Sequence, residues 1–413
     1  MGKPLLPAAL AALLAATAMV AAEPPVGPPF RVNTYATGVQ RAPSSAIRGI
    51  QWVVTWQGDG QDGSGYGVFG QCQAGGGEFR VNSYTSSDQS SPRVAASTVG
   101  ANFAVVWESE GQDGDQGGIF AQRYTSACSP LGAEFRVNTY TSSGQALPAL
   151  GVRTMGASGD FVVVWISRGQ DGSGDGVFGQ RYDGTSGVPL GPEFQVNTYT
   201  TGAQRSPAVA LDSNGGFLVV WEGHGLTEDG FGIFGQRYSS AGAPLGGEFR
   251  VNSYTTGDQR YPSVGGILSG DFLVAWQSDG QDGSGLGVFA QRYSNAGAPL
   301  AGEFRVSAYT TNDQSSPEVW NGGWLYFVVT WQSDHAGPGA DVYFEHFQSG
   351  TPNGERRANT YTTGSQTEPT VAYQGGGNGI VAWTSNEDPD GSPGVYAQYF
   401  FDFPVELQDF TVE

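Results

Sequence analysis

Apolar and polar positions alternate with two recurring rhythms along this chain. Runs such as FLVAW (272–276) and FVVVW (161–165) are apolar at every position, as a strand covered on both faces must be. Segments such as GVFAQRY (287–293) and EFRVN (248–252) mix apolar and polar positions, the pattern of a half-buried strand. PSVGG (262–266) adds a proline-started strand of small residues. Outside the first 22 residues no stretch shows a convincing helical period, so the expected class is all-β.

These segments recur as one unit, seven times. Its tyrosine falls at Tyr35, Tyr84, Tyr140, Tyr199, Tyr254, Tyr309 and Tyr361, and its tryptophan at Trp56, Trp107, Trp165, Trp221, Trp276, Trp331 and Trp383. The period is roughly 49 to 59 residues, within the range of propeller blades. We name the strands of a unit A (PSVGG), B (FLVAW), C (GVFAQRY) and D (EFRVN). Four strands per unit and seven units predict a seven-bladed β-propeller of four-stranded antiparallel blades, which protects its strand edges by radial repetition. The C-terminal DFTV (409–412) is an eighth copy of strand D, so either terminus could close blade seven beside Val395–Tyr399.

Antiparallel turns alternate sides, which places the B–C and D–A loops on one face and the A–B and C–D loops on the other. The D–A loop keeps eight residues from tyrosine to proline in all seven units, with a glutamine always three before the proline (Gln40 and Gln89 are the first two). The B–C loop is nearly as constant. Tiling of seven identical copies explains such loops, with Asn, Thr, Asp and Gln side chains satisfying turn backbone. A ligand site at the channel mouth is the functional alternative, because loops on a rigid scaffold are where binding residues gather.

The NTYTTGDQ…VVWQSDGQDGSG…GQRY unit resembles a repeat family of secreted and surface bacterial proteins, often found beside haemolysin-type calcium repeats. The resemblance covers residues 30–413 and implies a repeat architecture without an activity. The glycine-aspartate nonapeptides of those calcium repeats are absent here.

Residues 1–22 read as a secretory signal: one lysine, an apolar run from Leu5 to Val20, then Ala21-Ala22. Residues 23–29 are expected to be a short linker and 30–413 a single domain, exported to the periplasm, cell surface or medium. The formal net charge of −20 opposes binding to nucleic acid and anionic membrane, and no membrane insertion is expected. A monomer is the simplest expectation.

Candidate chemistry is thin. Asp59 with Asp62, and Asp279 with Asp282, are carboxylates three apart in glycine-rich loops, which makes calcium the cofactor to consider. In blade three, however, the first position is Arg168, and Asp-Gly is by itself a strong turn signal. Blade six departs most from the repeat and carries Trp320, Trp324, His335 and His346; the first three are the ligand-binding candidates. Cys72 and Cys128, the only cysteines, fall on the same face of adjacent blades and predict a disulfide in an oxidising compartment. Neither a GxSxG motif, a zinc signature nor a phosphate loop occurs. The reading is therefore a secreted, non-enzymatic propeller that binds a carbohydrate or an extracellular protein on the B–C and D–A face. Its alternatives are a glycan-active hydrolase or lyase, or a structural repeat module. Two carboxylates with an arginine or tyrosine, clustered asymmetrically at the mouth, would favour the enzyme.

Overall fold

The computed structural model describes residues 26–48, 51–73, 77–97, 102–153, 159–224, 230–267, 269–321, 326–337, 339–348, 351–374, 378–386 and 393–400. Among them are no helices, and seven antiparallel sheets follow one another around a ring, a seven-bladed β-propeller. Blade five shows the plan: strand A is Gln259–Gly266, B is Phe272–Asp279, C is Leu286–Tyr293 and D is Pro299–Arg305. Strand A is innermost, and each strand A packs beside that of the next blade.

The strand-B pattern explains the core. Trp56, Trp107, Trp165, Trp221, Trp276, Trp331 and Trp383 are all buried between blades. Each blade interface holds its own apolar cluster, such as Leu273, Ala275, Val329 and Trp331 between blades five and six. Strand D is shorter than the sequence suggests. In blades one to four it pairs over two residues, for example Phe79–Arg80, and the chain then peels away because an asparagine side chain replaces the ladder. Asn82 Oδ1 accepts the Val68 N–H at 2.8 Å, and Asn138, Asn197, Asn252 and Asn359 repeat this bond.

The N-terminal strand closes the ring. Val26–Arg31 pairs with strand C of blade seven (Gly394–Phe400), with Phe30 opposite Ala397 and Arg31 opposite Tyr396. The closing strand thus begins inside the segment expected as a linker, residues 23–29. The signal segment 1–22 and the copy at 409–412 lie outside the described residues. No helix among the described residues is long and apolar enough to cross a membrane.

One strand-C position ties six of the blades to the next, by several chemistries, and in blade five its arginine pairs with Asp271 of its own blade. It is occupied by Cys72, Arg123, Arg181, Arg237, Arg292, His346 and Tyr399 in blades one to seven. Cys72 forms the expected disulfide with Cys128 in the C–D loop of blade two, Cα to Cα 6.7 Å. Arg123 donates to the carbonyls of Gly184, Thr185 and Ser186 in the corresponding loop of blade three. Arg181 reaches Ser240 and Ala241 in the same way, and Arg237 reaches Asn295 and Ala296. His346 is buried against Tyr373 and Phe400 of blade seven, and Tyr399 accepts the Trp52 indole N–H of blade one at 2.5 Å. The disulfide is therefore the covalent version of an arginine staple.

Candidate functional site

Every strand A enters the channel through the same distortion. The residue before the proline has a positive φ, 48° to 53°, in all seven blades: Ala42, Ser91, Leu147, Ser206, Tyr261, Ser316 and Glu368. Left-handed backbone costs a non-glycine residue of order 1 kcal/mol. Here it makes a bulge between the second strand-A residue and the residue after the proline, as between Arg260 and Ser263. A bulge re-aims its side chain, and these residues stand at the mouth on the D–A and B–C face, with Leu147, Tyr261 and Glu368 exposed.

The freed backbone N–H of each bulge needs an acceptor, and the residue after the strand-B tryptophan of the preceding blade usually supplies it. Gln57 takes the Ser91 N–H at 2.9 Å, Glu222 that of Tyr261 at 2.8 Å and Gln332 that of Glu368 at 3.0 Å. Burial pushes the Glu108 carboxyl up to about 7, opposed by the Leu147 N–H and assisted by the negative charge of Glu110. The Glu222 carboxyl is also raised by burial, against the Tyr261 N–H, Arg260, Ser206 and Arg205. Blade seven has Thr384 in this position, and Glu368 serves instead: its Oε2 accepts both the Ala42 N–H and the Thr384 hydroxyl at 2.8 Å.

Inside the mouth, strand A of all seven blades lines a cavity of about 410 Å3. The residue after the proline forms its first ring in six blades, Ser44, Arg93, Ala149, Ala208, Ser263 and Glu318, while Thr370 at the seventh position is buried behind it. Four of these cap a backbone N–H of the next blade. Ser44 accepts from Val94 at 3.1 Å, Ser263 from Val319 at 2.9 Å, Thr370 from Ser45 at 3.1 Å, and Glu318 from Val371. Glu318 Oε1 also accepts the Thr370 hydroxyl at 2.8 Å. The carboxyl is enclosed by the channel wall yet touches the lumen. Burial raises it, and the Arg93 charge, the Thr370 hydroxyl and the Val371 N–H pull it back. Arg93 is exposed to the lumen. Arg93 of blade two and Glu318 of blade six are thus the two charged members of a ring that is otherwise hydroxyl or methyl, and Glu368 of blade seven stands at the rim above it.

The residues singled out in sequence are dispersed. Trp320 lies on strand A of blade six (Gln314–Asn321) and lines the cavity; its indole N–H donates to the Tyr373 carbonyl at 2.5 Å. Trp324 lies outside the described residues. His335 is not in the channel wall: it stacks on the exposed Tyr309 at 3.6 Å and contacts Tyr343 at 4.9 Å, with Nδ1 2.8 Å from the Ser333 hydroxyl. Burial lowers its pKa, against the charges of Asp341 and Asp334 and with that of Arg357. Trp320 and His335 therefore do not make one site.

Asp62 belongs to the turn. Its Oδ1 accepts the Ser64 N–H at 3.4 Å and its Oδ2 the Asn82 amide at 3.1 Å, while Gly63 takes a φ of 100°. Asp282 repeats the first bond, to Ser284 at 3.2 Å. In blade five Ser307 stands where the other blades carry asparagine, and Asp282 Oδ2 is buried without a hydrogen-bond partner among the described residues. Asp59 and Asp279 end their strands B beside these turns. Among the described residues no three Asp, Glu, His or Cys side chains converge as a metal site would require.

Sequence reasoning passed over Arg93, Glu318 and Glu368. The signal was present: aligned on the repeat's proline, Arg93 and Glu318 are the charged members of an otherwise small or hydroxylated column. Loop pattern does not report it, because these side chains lie within strand A.

No protein-family model matches the chain, and no curated protein matches it. Among solved structures, the polysaccharide lyase Uly1 has a TM-score of 0.51 at 10% identity, over 88% of this chain and 90% of that one. The β-propeller domain of the Trilobed protease from Pyrococcus furiosus, described as having an open velcro topology, has a TM-score of 0.51 at 8% identity, over 92% and 100%. The GH93 α-L-arabinofuranosidase of Fusarium graminearum, in complex with arabinobiose, has a TM-score of 0.50 at 9% identity, over 91% and 98%. At these identities the likeness establishes the fold, a β-propeller, and nothing of the site.

Proposed function

We propose that the chain is a glycan-active propeller, a hydrolase or lyase, whose substrate enters the channel mouth on the D–A and B–C face. The observation that carries this reading is the asymmetric set Arg93, Glu318 and Glu368 at the rim and first ring of the cavity. A sevenfold scaffold needs no such set, whereas chemistry on an asymmetric substrate does. The carbohydrate-directed names of two fold neighbours support the substrate class. The reading replaces non-enzymatic binding as the leading one, and export, argued from residues 1–22, remains part of it.

The chemistry follows from two carboxyls in different surroundings. Burial favours the protonated form of Glu318, which suits it to give a proton to a leaving glycosidic oxygen. Glu368, exposed and oriented by two donors on one oxygen, is placed to polarise water or to take a proton. Glu318 bonds to Thr370, two residues beyond Glu368, so adjacent innermost strands present both groups. Arg93 supplies positive charge for an anion that develops in the lumen.

The test is a panel of neutral and acidic polysaccharides, assayed for new reducing ends and for unsaturated ends, with wild type, Glu318→Gln and Glu368→Gln. Cleavage of one polysaccharide, reduced roughly 100-fold or more in each variant, is the expected result. Binding without cleavage returns the chain to the non-enzymatic reading. Neither binding nor cleavage of any polysaccharide or small glycoside ends the carbohydrate reading.

A further inference from the structure

Trp320 breaks the repeat at a place where every other blade has almost no side chain. The third residue after the proline is Ala46, Ala95, Gly151, Ala210, Gly265 and Ala372 in the other six blades. The register is secure, since each of these, like Trp320, pairs with the residue three before its strand-B tryptophan. Six small residues leave a lumen, and one indole occupies part of it. Trp320 is pinned to the Tyr373 carbonyl of blade seven and packs against apolar clusters on both sides, including that of Ala46 and Val94 in blades one and two.

The cavity records the consequence. Along blades seven and one its wall stops at Pro369 and Ser45, near the mouth. Along blades three, four and five it runs on to Val152, Leu211 and Gly266 at the far end of strand A. The deep part is therefore a one-sided slot between Trp320 and the wall of Leu150, Val152, Ala210, Leu211 and Val264, which carries no charged side chain. Above it sits the polar rim of Arg93, Glu318 and Glu368. A volume of about 410 Å3 lies within the range of small-molecule sites.

We infer that the channel takes an amphiphilic glycoside, with its sugar at the charged rim and an alkyl aglycone in the slot beside Trp320. A sugar alone would leave the apolar wall facing water, and a polysaccharide strand could not pass the indole. This deepens the glycan reading above and rests on it for the head group. Trp320 is then a specificity residue, because it sets the width of the slot.

The experiment is calorimetric titration of the intact protein with n-alkyl β-D-glucopyranosides from methyl to octyl, each below its micelle concentration, with hexan-1-ol as the head-group control. Affinity is expected to rise about threefold to fourfold per methylene until the slot is full. Hexan-1-ol should bind much more weakly than the hexyl glucoside. Ala210→Leu, and separately Val264→Phe should the first not fold, should flatten the series by filling the slot, while Trp320→Ala should extend the rise to longer chains. A series flat in the wild type overturns the inference, and if the polysaccharide panel still gives cleavage the glycan reading survives it. Equal binding of hexan-1-ol and hexyl glucoside also overturns it, because the head group then contributes nothing.

Discussion

Strand B and strand A of the same blades behave oppositely. Strand B carries a buried tryptophan in all seven copies, preceded by a mostly apolar run that meets the neighbouring blades. Strand A keeps its proline and its bulge in all seven, yet the side chains it turns to the lumen range from Ala149 to Arg93, Glu318 and Trp320. The contrast has a simple origin. A side chain between two blades must fit neighbours that are themselves copies, so each copy constrains the others. A side chain facing the channel meets solvent or a ligand, so nothing in the repeat holds it. Departures from the repeat are therefore informative in strand A and costly in strand B.

That comparison can be broken or sharpened. Truncating Trp276 to alanine should cost roughly 3–5 kcal/mol in denaturant unfolding, through an internal cavity, and leave glycan binding by the folded fraction unchanged. A cost below about 1 kcal/mol would show that strand B is not the constrained layer. Replacing both cysteines, Cys72→Ser with Cys128→Ser, should lower stability by roughly 2–4 kcal/mol on the chain-entropy account. Arg123→Ala should cost less, because its blade-to-blade bonds are not covalent.

Glu345 gives the pH-dependent case. It stands where the other six blades carry glutamine, and burial pushes it from 4.5 up to about 7, with the Gly354 and Asn353 N–H groups and Arg356 opposing and Glu355 assisting. The folded state thus binds this proton more tightly than the unfolded state. Stability is fully present below the unfolded value and falls as pH rises toward about 7. Glu345→Gln should raise the melting temperature by several degrees near pH 8 and hardly at all near pH 4. An equal gain at both would assign the effect to packing instead. The smallest effect expected is that of Asp279→Asn, within about 0.5 kcal/mol without calcium, as an exposed strand end allows. If millimolar calcium raises the melting temperature of the wild type and not of this variant, the Asp279–Asp282 loop is a metal site after all; no shift in either removes that reading.

Much of the architecture was legible in the chain. The tryptophan period, the doubly apolar strand B and the constant glutamine and proline before strand A each report a local requirement repeated seven times: burial on two faces, a capped loop, a fixed turn. The disulfide was legible too, because Cys72 at the end of strand C of blade one and Cys128 in the C–D loop of blade two reach the same face of adjacent blades. Local pattern, however, does not say which terminus supplies the closing strand, since residues 30–33 and 409–412 read alike. Only the pairing of Val26–Arg31 with Gly394–Phe400 decided it.

The site was decided by tertiary structure for a related reason. Arg93, Glu318, Glu368 and Trp320 are separated by up to 275 residues, and each looks like an isolated exception within its own blade. Closing the ring turns the same column of seven copies into one lumen. The sequence by itself determined the blade, because a blade is made of neighbours in the chain. Which exceptions face each other depends on the curvature that seven packed interfaces impose, and that is a property of the closed ring alone.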